Sequence, residues 1–238
     1  MLDFGGRLVV VTGGTGALGS VVTGALLDAG ARVRVPVFDS SEMGNFEYRN
    51  RVELMEGCDL TKEPDVARIY KGTKDLWASI HIAGGFSMCP LMDTDKATLM
   101  RMIEVNYVSA YLCSRAAARV FGNDGGRIVN VAARAALEPR MGSGMSAYAA
   151  SKAAVVALTI AAGEELKHSG ILVNAVAPSI IDTPANRTAM PSANHRSWPS
   201  ANHCSWPSAK DIAAAILFLA SSANCVTTGA IVPVYGRS

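Results

Sequence analysis

Short apolar runs of strand length alternate along the whole chain with longer segments rich in Ala and Leu. Runs such as VVVT and ILVNAVA are apolar at every position, which is typical of parallel strands covered by helices on both faces. The pattern predicts strands over residues 7–12, 32–38, 52–58, 76–83, 126–132, 172–177 and 230–234. It predicts helices over residues 17–29, 63–70, 95–121, 147–168 and 210–221. This alternation indicates an α/β fold made of βαβ units, either a doubly wound sheet or a TIM barrel.

The composition is that of a globular protein with a large core. The chain has 238 residues, of which 50% are hydrophobic and 18% charged, and this length fits one α/β domain. A net charge of +2 and only 6% aromatic residues argue against a surface that binds nucleic acid. We therefore expect a small-molecule substrate and no nucleic-acid partner.

The cysteines and the apolar segments favour a cytoplasmic location. The five cysteines are scattered, with no C-x-x-C pair, which does not indicate a disulfide framework. No signal peptide is recognisable at the start, which carries an acidic Asp3. The apolar stretch at 153–163 is shorter than the roughly 20 residues of a membrane span, so we expect no membrane segment.

An eight-residue tandem repeat interrupts the pattern between the last two helices. PSANHRSW at 191–198 recurs as PSANHCSW at 199–206, and two short copies cannot stack into a solenoid core. The prolines and small polar residues predict an irregular substrate loop over 184–208, within one domain spanning 1–238. His195 and His203 lie in the repeat, but apart from Cys204 no further ligand cluster accompanies them, so we expect no metal.

A glycine-rich turn, TGGTGALG at 12–19, joins the first strand to the first helix. Glycines allow the backbone to approach a pyrophosphate closely, and the helix N-terminus supplies free N–H groups and the positive end of its dipole. A strand before the turn and a helix after it predict a dinucleotide site. The residues expected to contact the cofactor here are Gly13, Thr15, Gly16, Ala17, Leu18 and Gly19.

Asp39 follows the second strand, about 20 residues after the glycine turn, where a carboxylate binds the adenosine ribose and repels a 2′-phosphate. This favours NAD slightly over NADP. Pro36 leaves the register open, and Val37 or Phe38 is the alternative occupant of the selecting position. In that case Ser40, Ser41 or Arg34 would tolerate the phosphate of NADP.

Tyr148 and Lys152 stand four residues apart near the start of a helical segment, so both side chains lie on one face. A neighbouring ammonium stabilises a phenolate and is expected to lower the tyrosine pKa towards working pH, as acid–base catalysis requires. Alone, the spacing also fits a surface lysine beside a packed tyrosine. Together with the glycine turn, it predicts hydride chemistry with a nicotinamide cofactor.

Over essentially its whole length the sequence resembles the short-chain dehydrogenase/reductase family. The matching segments are TGGTGALG at 12–19, CDLT at 58–61, AGG at 83–85, Asn106, GGRIVNV at 125–131, YAASK at 148–152 and NAVAPSIIDT at 174–183. The resemblance implies a single-domain, Rossmann-type, doubly wound parallel sheet of seven strands in the order 3-2-1-4-5-6-7. It also implies a homodimer or homotetramer, in keeping with small-residue faces in the 95–121 and 147–168 helices.

The same resemblance implies roles for individual residues. Tyr148 would be the acid/base, Lys152 would bind the nicotinamide ribose and assist it, and Asn106 would hold a proton-relay water. The further cofactor contacts implied are Asp59, Leu60, Ala83, Gly84, Gly85, Pro178, Ile181 and Thr183.

The chain departs from the family at three places. Ala17 stands where the turn has glycine, and His81 and Ile82 replace two asparagines. Ala133 occupies the place of the serine that donates a hydrogen bond to the substrate oxygen. Ser143 or Ser146, just before Tyr148, is an alternative source of that hydroxyl.

Three functional hypotheses follow from these residues. The first is a reductase or dehydrogenase acting on a carbonyl or alcohol. The second is a pterin-type reductase, because the turn, the missing serine and the DTPANR segment at 182–187 are similar to dihydropteridine reductase, a divergent family member. The third is an NAD(P)-binding protein without turnover.

Overall fold

The computed structural model describes residues 2–44, 46–73, 75–180, 187–188 and 208–236. Its centre is one parallel sheet in the order β3-β2-β1-β4-β5-β6-β7, the order that the family resemblance implies. The strands are β1 (Leu8–Thr12), β2 (Arg32–Pro36), β3 (Glu53–Met55), β4 (Leu76–His81), β5 (Gly126–Val131), β6 (Ile171–Pro178) and β7 (Ile231–Val234).

Seven α-helices connect these strands or pack against them in the described part of the chain. They are α1 (Ala17–Asp28), α2 (Glu63–Tyr70), α3 (Lys96–Met102), α4 (Ser109–Val120), α5 (Arg134–Leu137), α6 (Ser146–Leu166) and α7 (Ala209–Ala220). Short 3-10 turns lie at Ser40–Met43, Pro139–Gly142 and Lys167–Ser169. Apart from two elements, the strand and helix predictions are confirmed, with ends that shift by a few residues.

Two predicted elements differ from the structure. The helix expected over 95–121 is divided into α3 and α4 by a π-helical turn at Ile103–Val108, which changes the direction in which the side chains of this segment project. The strand expected over 52–58 pairs only at Glu53–Met55, because β3 is the edge strand and its partner β2 ends at Pro36.

Alternate residues of the central strands supply the cores on the two faces of the sheet. Val9 and Val11 pack with apolar residues of α1 and α7, whereas Leu8 and Val10 pack with those of α2 and α4. All eight residues of β6 are buried, as the continuously apolar run predicts. The helices thus cover both faces and leave the edge at the carboxyl ends of the strands for a site.

The segment Ser146–Ser169, which contains α6, is long and apolar enough by length and composition to cross a membrane, with a mean hydropathy of 1.3. Here it packs against β6, and its buried face includes Val155, Thr159 and Gly163. In the described structure it is a helix of the α/β fold that covers one face of the sheet.

Candidate active site

The glycine turn brings the first strand, the first helix and the fourth strand close together. Gly13 has φ +67°, and a Cβ there would lie 2.7 Å from the backbone nitrogen of Ala83. A Cβ on Gly19 would overlap the carbonyl oxygen of Gly13. Ala83 N–H in turn donates to the Thr12 carbonyl oxygen over 3.1 Å, so the turn is closed against the end of β4.

A cavity of about 920 Å³ opens over this turn. Most of the predicted cofactor contacts line it, namely Gly13, Thr15, Gly16, Ala17, Leu18, Gly19, Asp59, Leu60, Ala83 and Gly84. Gly85, Pro178, Tyr148 and Lys152 are not among its lining residues, although Gly84 joins it to Lys152: a Cβ on Gly84 would lie 3.4 Å from Lys152 Nζ.

The N-terminus of α1 points its free backbone donors at this cavity. Gly16 is the N-cap, it makes no side-chain capping bond, and the first turn carries no acidic residue. Unsatisfied N–H groups and the positive dipole end are suited to a pyrophosphate. Ala17, which replaces the family's glycine, is exposed as the first residue of the helix. The residues present therefore fit a dinucleotide.

Asp39 is placed differently from the sequence expectation. Its carboxylate accepts a hydrogen bond from Ser41 N–H over 2.8 Å and caps the Ser40–Met43 turn, which lowers the pKa of Asp39. Asp39 does not line the cavity, whereas Phe38 and Glu42 do. The alternative in which Arg34 accommodates a phosphate is not supported, because Arg34 donates to the Ile69 carbonyl and pairs with Glu53 at 2.8 Å.

Asp59 lies at the far wall of the cavity in a turn that its own side chain stabilises. Its Oδ1 accepts from Thr61 N–H over 2.9 Å and from Thr61 Oγ1 over 2.7 Å. Its backbone N–H donates to Asp65 Oδ2 over 3.0 Å. These bonds fix the segment after β3 against the start of α2, where an adenine is expected to lie.

Tyr148 and Lys152 lie one turn apart on α6, at the carboxyl edge of the sheet. Lys152 is buried, and its Nζ donates to the carbonyl oxygen of Val131, the last residue of β5, over 2.8 Å. The ring of Tyr148 meets Phe86 edge-on, with centroids 4.9 Å apart. The arrangement directs both functional groups towards the end of the sheet that carries the cavity.

The expected lowering of the tyrosine pKa is not seen in this structure. Burial raises the pKa of Tyr148 to about 12 and lowers the pKa of Lys152 to about 8. Desolvation disfavours the charged form of each group, and no charged partner among the described residues offsets it. The phenol is accordingly held in its protonated form at neutral pH.

Asn106 lies within the π-helical turn and is almost fully buried. Its Oδ1 accepts from Gly85 N–H over 2.9 Å, while its Nδ2 donates to the Gly85 carbonyl and to Ser151 Oγ, each over 3.0 Å. The side chain is thus used to join the loop after β4 to α6. The relay water that the family resemblance implies for Asn106 stays a prediction.

The position of the missing serine begins the short helix α5. Ala133 is the N-cap of α5, is 7% exposed and makes no side-chain capping bond. Ser143 follows the Pro139–Gly142 turn and is exposed, as is Ser146 at the start of α6. The side chain at position 133 therefore offers no hydroxyl to the substrate, and such a group has to come from a residue outside the end of β5.

His81 belongs to a buried chain of polar groups beneath the site. Its Nε2 lies 2.8 Å from Ser79 Oγ and its Nδ1 lies 2.8 Å from Asn130 Oδ1. Ser79 Oγ continues to Tyr70 OH at 2.6 Å, and Asn130 Nδ2 donates to Thr159 Oγ1 over 3.0 Å. Burial lowers the pKa of His81 to about 4, so the ring is neutral and ties β4 to β5.

Two residues near the site have no signal in the sequence pattern, and four residues singled out in the sequence lie outside the described part of the chain. Phe86 and Glu42 were not predicted, because a lone aromatic residue and a surface glutamate carry no motif. Ile181, Thr183, His195 and His203 lie outside the described residues, as does nearly all of the 184–208 loop.

Comparison with known proteins identifies the family. A family model described as Enoyl-(Acyl carrier protein) reductase matches residues 15–236. The chain is 34% identical over 246 residues to galactitol 2-dehydrogenase of Rhizobium johnstonii, covering 96% of this chain and 93% of that protein. It is also 34% identical over 189 residues to 2,3-dihydro-2,3-dihydroxybenzoate dehydrogenase of Escherichia coli, covering 79% and 74%.

The fold is equally similar to solved structures. A short-chain type dehydrogenase/reductase from Mycobacterium ulcerans superimposes with a TM-score of 0.86 at 26% identity, over 99% of this chain and 90% of that one. The sheet order, the glycine turn and the tyrosine–lysine pair of this chain agree with the family of these relatives. The chain belongs to the short-chain dehydrogenase/reductase family of NAD(P)-dependent oxidoreductases.

Proposed function

We propose that this enzyme interconverts a secondary alcohol and a ketone on a small polar molecule, with Tyr148 as the acid/base and NAD(H) as the cofactor. The observation that carries the proposal is the position of Lys152. Its buried ammonium rests on the end of β5, beside Gly84 of the cavity and one helical turn from Tyr148. A buried cation next to a phenol is otherwise costly, which supports a catalytic reason for the pair.

A nicotinamide nucleotide supplies the hydride acceptor or donor of this reaction. The chain's own part is to bind and orient it: the α1 N-terminus takes the pyrophosphate, and Asp59 with Leu60 faces the adenine. Lys152 would hold the nicotinamide ribose, as the resemblance implies. Ile181 and Thr183 keep their expected role at the carboxamide as part of the proposal.

The proton moves at the Tyr148 oxygen. With a pKa of about 12, the phenol is protonated at neutral pH and is ready to donate to a carbonyl oxygen as it gains charge. In the opposite direction the same oxygen must first lose its proton. We therefore expect ketone reduction near neutral pH and alcohol oxidation at a rate that increases with pH.

Ala133 supports a second candidate, a pterin-type reductase. A ketone oxygen that gains charge is usually stabilised by two donors, and an alanine side chain supplies none. A delocalised substrate such as a quinonoid dihydropterin needs less stabilisation at a single atom. For the alcohol/ketone reaction, we propose that Tyr148 is the principal donor and that the exposed Ser143 contributes only weakly as a second one. Nucleotide binding without turnover is the third reading.

The substrate class follows from the relatives. Galactitol 2-dehydrogenase and 2,3-dihydro-2,3-dihydroxybenzoate dehydrogenase are named for an open-chain polyol and a cyclic diol. Both contain an alcohol beside a second hydroxyl. A vicinal diol, open or cyclic, is accordingly the first class of substrate to test.

We also propose a cytoplasmic homo-oligomer, a dimer or a tetramer. Ala150, Ala153, Ala157 and Ala161 form an exposed stripe of small residues on α6, which allows close approach of a helix from a second copy. Three other small residues, Ser114 and Ala117 of α4 and Ala149 of α6, are buried within the chain and do not contribute to this stripe. Sedimentation that finds only monomer would contradict the proposal.

The proposed function is tested by steady-state assays with NAD and with NADP on a panel of polyols, cyclic diols, simple ketones and a quinonoid dihydropterin. We expect turnover of a diol. The Lys152→Met variant is expected to lose this activity, whereas the exposed control Lys96→Met is expected to keep it. Turnover of the dihydropterin alone would favour the second candidate. Nucleotide binding without turnover of any compound would favour the third.

A further inference from the structure

A second cavity lies between α2 and α4, and we call it the α2–α4 groove. It is lined by residues within 63–71 and 112–120 and has a volume of about 650 Å³, which is enough for a small-molecule ligand. It shares no lining residue with the cavity over the glycine turn, and neither Tyr148 nor Lys152 lines it. The proposed reaction therefore assigns no role to this groove.

The floor of the α2–α4 groove is apolar. Val66 and Tyr70 of α2 and Leu112 of α4 are buried beneath it as part of the core on this face of the sheet. Ala67 on α2 is exposed and Ala116 on α4 is half-buried. Because these two side chains are small, they leave open the space that larger side chains normally fill between packed helices. The groove thus offers accessible apolar surface to a ligand.

The rim of the groove is cationic. Four cationic side chains line it against the single carboxylate of Glu63, a net charge of +3 in a chain whose total is +2. These cations are Arg68, Lys71, Arg115 and Arg119. A ligand that enters the groove is therefore favoured if it carries negative charge.

Two of the four cations are already engaged. Arg115 pairs with Glu63 at 2.8 Å. Arg68 donates to the Gly57 carbonyl over 2.6 Å. Lys71 and Arg119 are exposed, and in the described part of the chain neither forms an ion pair or a side-chain hydrogen bond.

Lys71 and Arg119 also lie at the same end of the groove. Lys71 is the C-cap of α2, and Arg119 lies in the last turn of α4. Both helices connect parallel strands on one face of the sheet and so run in the same direction, which brings their C-terminal ends together. The groove therefore combines two uncompensated cations at one end with an apolar floor along its length.

We propose that the α2–α4 groove binds an amphipathic anion, an aliphatic chain that ends in a carboxylate or a phosphate. Lys71 and Arg119 bind the charged head group, and the chain lies over Ala67 and Ala116. An inorganic anion lacks the apolar part and a neutral lipid lacks the charge, so each meets only half of the groove. The site does not depend on the proposed function.

The surface proposed for self-association leaves this groove open. The exposed alanine stripe is on α6, whereas the groove is formed by α2 and α4. Because α4 packs against both α2 and α6, it separates the groove from that stripe. Pairing of two copies through α6 does not by itself cover the groove.

The test is calorimetric titration of the wild type with dodecanoate below its micelle concentration, with and without NADH. We expect one dodecanoate to bind per chain, less tightly as salt is added and equally well when NADH is present. Dodecyl phosphate shows whether the groove distinguishes a phosphate head group from a carboxylate. Dodecyltrimethylammonium, with the same chain and the opposite charge, and inorganic phosphate are expected not to bind.

Variants of the two ends of the groove assign the binding to it. Lys71→Gln with Arg119→Gln is expected to weaken dodecanoate binding about tenfold. The matched control, Lys96→Gln with Arg101→Gln, removes the same charge from exposed positions on α3 and is expected to change the affinity by less than about twofold. Ala116→Phe fills the floor and is expected to abolish binding, with thermal unfolding establishing that each variant is folded.

Four results would overturn the proposal. They are equal affinity for dodecanoate in the two double variants, displacement of dodecanoate by NADH, equal binding of the trimethylammonium compound, and weaker self-association of the groove variant without anion binding. The last would assign the groove to a second copy of the chain. A lower melting temperature of the groove variant with unchanged affinity would leave its cations only the role of stabilising helix C-termini. Failure of NADH binding or turnover would instead remove the proposed function and leave the groove assignment in place.

Discussion

Lys152 Nζ donates a hydrogen bond to the carbonyl oxygen of Val131 over 2.8 Å. This bond fixes the start of α6 to the carboxyl end of β5, two residues before the site of the missing serine. The buried ammonium has its pKa lowered to about 8, so a modest electrostatic change at the site is enough to alter its charge near physiological pH. The position of Tyr148, one turn earlier, depends on the same anchoring.

Restoring the hydroxyl at position 133 is expected to improve both stability and turnover. Ala133 is an N-cap without a side-chain bond, and Ser at such a position stabilises by about 0.5–1 kcal/mol. A donor near the substrate oxygen is expected to raise kcat for ketone reduction by about tenfold or more. Urea unfolding and steady-state kinetics of Ala133→Ser measure the two effects.

The neighbouring variant Ala132→Ser is the matched control. Ala132 is 2% exposed, and a hydroxyl there is expected to gain no catalytic effect. An unchanged or lower kcat in Ala133→Ser would show that another group already supplies the donor, with Ser143 the first to examine.

His81 is expected to make the protein sensitive to acid. Its pKa is about 4 in the folded chain against 6.5 when exposed, so the unfolded chain takes up the proton first as pH falls. Stability from this group is present above pH 6.5 and is lost as pH falls towards 4. Between pH 7 and pH 5 the loss is about 2 kcal/mol. Urea unfolding of His81→Asn at both pH values is expected to show a fall in the free energy of unfolding that is smaller by this amount.

The exposed His168 provides the comparison for that experiment. His168→Asn is expected to retain the wild-type dependence of the unfolding free energy on pH. Equal pH dependence in the wild type and His81→Asn would show that the buried ring does not exclude the proton.

Asn106 is expected to matter for folding as well as for turnover. Asn106→Ala removes the side-chain partner of both the N–H and the carbonyl of Gly85 in a partly buried setting. We expect a loss of about 2–3 kcal/mol in the free energy of unfolding, measured in urea. The exposed Asn123→Ala is expected to change it by less than about 0.5 kcal/mol. A similarly small effect for Asn106 would refute the anchoring role.

The sequence is sufficient to predict the fold and much of the cofactor site because both depend on local patterns. Continuous apolar runs such as β6 indicate buried parallel strands, and the glycines at 13 and 19 mark a turn where a Cβ does not fit. The Tyr148–Lys152 spacing likewise fixes a shared helix face. None of these features requires knowledge of contacts with residues far away in the sequence.

The features of the site that the sequence does not predict depend on contacts between residues that are far apart in the sequence. Glu42 reaches Thr15 only because a 3-10 turn reverses the chain after β2, and Asp39 is drawn into capping that turn. The tyrosine pKa depends on burial, which the one-turn spacing from Lys152 does not reveal. The π-helical turn contains Asn106, whose side chain bonds to Gly85, and no local sequence pattern marks it.

Hydride transfer in Tyr148→Phe tests the central claim most directly. The variant keeps the ring that packs on Phe86 and removes only the hydroxyl. We predict that NADH binds with an affinity within about twofold of the wild type, while kcat for the best substrate falls by about 10²–10⁴-fold. Phe86→Leu, which changes the packing and leaves the phenol, is predicted to lose far less. A Tyr148→Phe enzyme that turns over at the wild-type rate would contradict the account.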